Sequence, residues 1–156
     1  MKLLFPGSFD PFTIGHADIV KRALSMGFEV VIAVGVNSKK NPLYSFDQRV
    51  EAIRSYYASE NRVGVVGYSG LTVDAVNKYD CNAILRGVRS VMDYETERNL
   101  ADINRSVSGV ETIFIVSNPS LQHISSSMVR ELMSFGHKID DLVIDTFSGL
   151  DHKVKE

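Results

Sequence analysis

Lys2-Leu3-Leu4-Phe5-Pro6-Gly7-Ser8-Phe9-Asp10-Pro11-Phe12-Thr13-Ile14-Gly15-His16 reads as a strand, a loop and the start of a helix. Residues 2–5 form a short apolar run. Behind it Pro6, Gly7, Pro11 and Gly15 leave the loop no regular structure of its own, and a helix is expected from about residue 16 to 25. The same unit recurs along the chain. Short β-branched runs at 29–36, 63–66, 83–85 and 112–116 alternate with helical candidates at 46–58, 72–79, 94–107 and 126–134. That alternation predicts an α/β fold, a single doubly wound parallel five-stranded sheet with helices on both faces.

In the helix at 46–58, Phe46, Val50, Ile53 and Tyr57 recur at spacings of four and three, so this face is expected on the sheet. Gln48, Arg49, Glu51 and Arg54 are expected on its other face. In 94–107, Leu100, Ile103 and Val107 share one side, and Glu95, Glu97 and Arg98 load the other. After Gly136, Ile139, Leu142, Val143 and Phe147 predict one more short helix, followed by a polar tail at 151–156. One domain, 1–156, with a C-terminal helical extension from about 137, is the expected organisation.

Composition narrows the function. Hydrophobic residues make up 44% and charged ones 23%, a globular balance, and no apolar run approaches the ~20 residues that cross a bilayer. No basic stretch, apolar segment and cleavage site precede the first strand, so a cytoplasmic location is expected. The single cysteine, Cys81, has no internal disulfide partner and reads as a small core residue, and the four histidines show no zinc-ligand spacing. A net charge of −2 with pI near 6.1 argues against a broad nucleic-acid or membrane patch, so the substrate is expected to be small.

A doubly wound sheet binds ligands beyond the carboxyl ends of its strands. Unusual residues gather there after all five predicted strands, and the five loops are expected to face one cleft. The first loop ends near Gly15 and His16 at a helix N-terminus, whose unpaired N–H groups and partial positive charge suit phosphate. Gly15 allows close backbone approach, His16 can donate a hydrogen bond and Ser8 adds a hydroxyl. On composition alone, an ordinary β–α loop with Ser8 and His16 as caps fits equally. Lys39 and Lys40 lie on a loop that Pro42 keeps out of helix, and a lysine pair of this kind is commonly solvated. Arg86 and Arg89 flank Gly87 after an apolar strand, where their forks match phosphate oxygens; salt bridges to Asp93, Glu95 or Glu97 are the alternative. Ser125, Ser126 and Ser127 stand before an amphipathic run and read as an N-cap.

Gly7-Ser8-Phe9-Asp10-Pro11 followed by Gly15-His16 resembles the signature of the HIGH-type nucleotidyltransferases, with Thr13 where the name motif has its first histidine. The resemblance continues through Lys39-Lys40-Asn41-Pro42, Ile84-Leu85-Arg86-Gly87-Val88-Arg89, Asp93-Tyr94-Glu95, Asn104-Arg105 and Ile124-Ser125-Ser126-Ser127, and points to the phosphopantetheine adenylyltransferase family. It implies transfer of AMP from ATP to 4′-phosphopantetheine, giving dephospho-coenzyme A and pyrophosphate, with Mg²⁺ as cofactor and a homohexamer as the assembly. By the same resemblance His16, Lys40 and Arg89 are catalytic. Ser8, Phe9, Gly15, His16, Arg89, Glu97, Ser125, Ser126 and Ser127 meet ATP, while Ser8, Lys40, Leu71, Thr72, Arg86 and Asn104 meet phosphopantetheine. No metal-ligating residue is implied. Leu121 and Thr96 replace aromatic residues that the family often has, and His123 is read as a surface or capping group.

Such chemistry needs no general base, because a phosphate monoester, with its second pKa at ~6, is already mostly dianionic near neutrality. Catalysis then consists of orienting two anions and stabilising the charge that grows on the transferring group. Two readings compete. A nicotinamide mononucleotide adenylyltransferase or a glycerol-phosphate cytidylyltransferase shares the loop, and a non-catalytic ATP-binding regulatory protein shares the sheet.

Overall fold

The computed structural model describes residues 1–36 and 42–150. Five parallel strands, β1 (Lys2–Gly7), β2 (Glu29–Gly35), β3 (Val63–Tyr68), β4 (Ala83–Val88) and β5 (Thr112–Val116), lie in the order β3-β2-β1-β4-β5. The connecting helices are α1 (Ile14–Ser25), α2 (Phe46–Tyr56), α3 (Thr72–Lys78) and α4 (Val91–Ser108), with α5 (Ser126–Ser134) after β5. Alternate residues of a strand face opposite sides. Leu3 and Phe5 accordingly join one core with Val20, Ala23, Ile53 and Val129, while Leu4 joins the other with Ala33, Ala75 and Ile84.

Strand order reverses at β1, and the sheet opens there. β1 pairs with β2 from Lys2↔Glu29 to Gly7↔Val34, but with β4 only at Leu3↔Ala83 and Leu4↔Ile84. Beyond Leu4 the two strands separate, which leaves a crevice at the topological switch point. Pro6 is tolerated in this central strand for the same reason. The N–H it lacks would point to the β4 side, where pairing has stopped. Its carbonyl, on that side, accepts from Arg86 Nη1 at 2.7 Å. Both β1 and β4 run further than expected, so Arg86 lies within β4 rather than beyond its end. Gly87 follows it because a Cβ there would meet Ile19 of α1 at 3.1 Å.

Three further expectations are corrected. Arg49 does not sit on the solvent face of α2: it is 2% exposed and its guanidinium turns into the protein. The helix expected around Ile139 to Phe147 is absent. Its apolar residues instead anchor an irregular segment that turns over residues 140–142 and ends in a 3-10 turn, Asp145–Phe147, with Ile139, Val143, Ile144 and Phe147 buried. This segment buttresses the first loop, since Ile14 N–H donates to the Leu142 carbonyl at 3.1 Å and Thr13 bridges Val143. Cys81 is half-buried, at the edge of the second core rather than inside it. The apolar side of α4 is uncovered, with Leu100, Ile103 and Val107 all exposed. The tail at 151–156 lies outside the described residues.

Candidate active site

The crevice between β1 and β4 opens into two adjoining cavities that share part of their lining. The first, of about 320 Å³, is lined by the loop after β1, the start of α1, Arg86 and Arg89, and the start of α5. The second, of about 310 Å³, is lined by Leu71 and Thr72 at the start of α3, by Leu100 and Asn104 of α4, and by Ile84 and Thr112. Pro6, Arg86 and Glu97 line both and so stand between them. All the residues expected to meet ATP line the first cavity. Of those expected to meet phosphopantetheine, Leu71, Thr72, Arg86 and Asn104 line the second and Ser8 the first. Lys39 and Lys40 lie outside the described residues.

His16 is the third residue of α1, and its geometry follows from the helix start. Thr13, 1% exposed, is the N-cap: its Oγ1 accepts from His16 N–H at 3.3 Å, and its own N–H donates to His16 Nδ1 at 2.9 Å. This is a capping box with histidine in the place usually held by Glu or Gln. A ring nitrogen that accepts carries no hydrogen, so the neutral imidazole has its proton on Nε2. The ring is packed among Phe5, Phe9 and Phe12, with centroids at 6.2, 5.1 and 5.2 Å. Burial, aided by the charges of Arg89 and Arg86, lowers its pKa from 6.5 to about 3. His16 is therefore neutral: it completes the cap through Nδ1 and keeps its Nε2–H for another acceptor. A Cβ on Gly15 would make ordinary contacts, 3.5 Å from Thr13 Oγ1 and 3.8 Å from the Ile124 carbonyl, so packing alone does not require glycine there.

Both arginines make the salt bridges that sequence left as an alternative. Arg86 grips Glu97 through Nε at 2.7 Å and Nη2 at 2.5 Å, and Arg89 Nε meets Asp93 at 3.1 Å. Among the serines, Ser125 Oγ caps α5 by accepting from Met128 N–H at 3.1 Å, while Ser126 Oγ donates to the Pro11 carbonyl at 2.8 Å. The single hydroxyl proton of Ser126 is thus already engaged, whereas Ser125 and Ser127 use their hydroxyl oxygens as acceptors and keep their protons for another partner. Leu121 lines the first cavity, Thr96 Oγ1 donates to its own helix at Met92, and His123 is exposed.

Sequence reasoning missed Arg130, which lines the first cavity and donates to the Asp10 carbonyl at 2.8 Å and to Ser127 Oγ at 3.1 Å. It has no acidic partner among the described residues, so its charge is uncompensated there. The signal was its spacing: three and four residues after Ser127 and Ser126, on the same helix face. Asp10 was also missed as a structural group. Its oxygens accept from Leu43 and Tyr44 N–H, both at 2.9 Å, tying the first loop to the chain entering α2.

A phosphate-facing β–α loop at the switch point of a 3-2-1-4-5 sheet, faced by a second helix start, is the plan of a nucleotidyltransferase fold. The fold is shared, at 17% identity and a TM-score of 0.67, with a bifunctional NMN adenylyltransferase/ADP ribose pyrophosphatase from Francisella tularensis; the match covers 91% of this chain and 44% of that one. A lipopolysaccharide core biosynthesis protein from Thermoplasma volcanium shares it at a TM-score of 0.54 and 19% identity, over 76% of this chain and 96% of the other. Residues 4–132 match the cytidylyltransferase-like family. Phosphopantetheine adenylyltransferase of Porphyromonas gingivalis is 52% identical over 144 residues, 92% of this chain and 94% of that protein. The enzyme of the same name from Bacteroides fragilis is 45% identical over 138 residues, 88% and 92% of the two chains. The chain belongs to the cytidylyltransferase-like family and, within it, to the phosphopantetheine adenylyltransferases.

Proposed function

We propose that this chain transfers the AMP of ATP to 4′-phosphopantetheine. A phosphate oxygen of the acceptor forms a bond to the α-phosphorus of ATP, the bond from that phosphorus to the β-phosphate bridge breaks, and dephospho-coenzyme A and pyrophosphate leave. The observation that carries this reading is the pair of cavities meeting at Arg86. The first offers phosphate-binding groups from two helix starts; the second is a partly apolar chamber suited to an elongated arm with one anionic end.

The chain's own residues orient and stabilise. Neutral His16 donates Nε2–H to an α-phosphate oxygen, and Arg89, Arg130 and Ser127 hold the phosphates that depart. Arg86 receives the acceptor's phosphate. Ser8, Phe9, Gly15, Glu97, Ser125 and Ser126 shape the nucleotide side, with Leu71, Thr72 and Asn104 along the arm. Lys40 supplies a further cation to the reacting phosphates. Donors placed where charge grows lower the barrier without moving a proton.

Mg²⁺ completes the reading. Among the described residues no group of three His, Cys, Asp or Glu is placed to hold a metal ion, and the cleft acids Asp93 and Glu97 are engaged by arginines. That donor set fits an ion carried in on the ATP phosphates, the usual mode for Mg²⁺, which keeps much of its water and neutralises phosphate charge. Assembly into a homohexamer would cover the exposed apolar side of α4. The reading includes a cytoplasmic site of action, and no helix among the described residues is long and apolar enough to cross a membrane.

Purified protein incubated with ATP, Mg²⁺ and 4′-phosphopantetheine should form dephospho-coenzyme A and pyrophosphate in equal amounts, and excess chelator should stop it. Product formation only with nicotinamide mononucleotide, or only with CTP and glycerol phosphate, would reassign the acceptor. ATP binding with no product from any acceptor would reject the transferase reading.

A further inference from the structure

Arg49 stands apart from both cavities, one turn into α2, and is almost wholly buried. A cation in that position is costly unless its donors are satisfied. Burial lowers its pKa, against the opposing pull of the Asp10 carboxylate. Its donors do not go to that acid. Nη1 donates to the Ser8 carbonyl in a short contact and to the Gly35 carbonyl at 3.2 Å, and the ring of Phe46 packs 5.8 Å from the guanidinium. One atom thus ties the phosphate loop after β1 to the end of β2. Ser8 is exposed in the cleft, and its hydroxyl makes no hydrogen bond among the described residues. Its main chain is held from beneath while its side chain stays free.

We infer that Arg49 is a positioning residue for nucleotide transfer: by fixing the Ser8 carbonyl against the end of β2, it aims the Ser8 hydroxyl at the incoming phosphates. The inference rests on the transferase reading above. A plain structural role predicts lost stability with no special link to Ser8, whereas positioning predicts that Arg49 and Ser8 fail together. A purely electrostatic role predicts that any cation suffices.

The test is a double-mutant cycle of Arg49→Lys and Ser8→Ala, read in kcat at saturating substrates with thermal melts alongside. Lysine keeps the charge but cannot hold both carbonyls in the same geometry. Arg49→Lys should lower kcat by about 10²-fold, the usual consequence of a displacement near 1 Å at a reacting group. In the Ser8→Ala background the further loss should shrink to less than about threefold, because the group being aimed is gone. Near-parental kcat in Arg49→Lys overturns the inference in favour of charge alone. Losses that multiply overturn it in favour of general stability. Arg49→Met, which leaves both carbonyls without a donor, may be replaced by the lysine variant if it does not fold; failure of both to fold makes Arg49 a folding residue and also rejects the inference. If the parent shows no turnover, the transferase reading alone falls, and the same cycle is read in ATP affinity. There Arg49→Lys should weaken ATP about tenfold, and much less once Ser8 is alanine.

Discussion

Replacing His16 with glutamine separates its two tasks. Glutamine is a standard third residue of a capping box, so its carbonyl can still accept from Thr13 N–H and the start of α1 should survive. What disappears is the titratable ring; the glutamine amide still carries N–H donors, so loss of the donor is read in His16→Ala. The fold holds the imidazole neutral with a pKa of about 3, while the unfolded chain takes up the proton near the ordinary 6.5. Below pH 6.5 the unfolded state therefore binds more protons than the native state. The histidine's contribution is fully present above 6.5 and is lost as the pH falls towards 3. At pH 5 the unfolded chain gains about 1.5 units of proton affinity, worth about 2 kcal/mol, which corresponds to about 4–8 °C in Tm for a chain this size.

Melts of the ligand-free parent and of His16→Gln at pH 7 and pH 5 measure this directly, since other titrations cancel in the difference. The parent should lose about 2 kcal/mol more than the variant between the two values. At pH 7.5 His16→Ala, shown by its melt to fold, should fall in kcat by about 10²–10³ at saturating substrates, the loss of one preorganised donor. Because His16 stays neutral, the acid limb of the parent's pH profile should follow the acceptor phosphate, with a pKa of about 6. Parallel loss of stability in the two proteins would show that His16 titrates normally and would remove the neutral donor from the mechanism. Near-parental kcat in a folded variant would remove its catalytic role.

Arg89→Ala should raise the KM for ATP more than that for phosphopantetheine, and Arg86→Ala the reverse, as measured by steady-state kinetics; equal effects on both substrates would reject the division between cavities. Arg86→Ala should also cost about 1–3 kcal/mol in a denaturation titration, because Glu97, only 13% exposed, is left without its partner. Lys40→Ala should melt like the parent while kcat falls about 10²-fold, as expected if Lys40 supplies the cation proposed above. Cys81→Ala should cost about 1 kcal/mol or less and leave kcat unchanged, as expected of a half-buried thiol at the core's edge whose pKa burial pushes up.

The fold was legible wherever local pattern and burial agree. All five strands and five helices appear near their expected places, because β-branched runs and 3.6-residue spacing report directly on what faces the core. Arg49 shows where that logic stops. Its polarity and its helical position both indicate solvent, yet it is drawn inward by two carbonyls from distant parts of the chain, and no local pattern encodes them. Residues 139–147 fail for a related reason. Their apolar spacing is real, but it meets the loop around Thr13 as an irregular brace of turns, and periodicity alone does not distinguish a helix from a segment pinned at several points. Resemblance supplied the candidate site residues, and the structure gathers the described ones around two cavities, but pairings such as Arg86 with Glu97 depend on three-dimensional distances.

Those pairings bear on how the proposed site remains ready for anions. A guanidinium has five N–H donors. Arg86 uses three of them, two on Glu97 and one on the Pro6 carbonyl, so five less three leaves two for a ligand without breaking any bond. Its contacts fix the plane of the fork at the place where β1 and β4 part, and the acid that holds it also tempers the repulsion between neighbouring cations in an empty cleft. Arg89 is held in the same manner from one turn along α4, by Asp93. Among the described residues Arg130 is anchored by a main-chain carbonyl and a serine and meets no acid, and so brings net positive charge to the cleft. Under the proposed function, the unpaired cation attracts the incoming polyphosphate and the paired ones orient it. Neither step asks a side chain to change its protonation state, in keeping with a histidine that the fold keeps neutral.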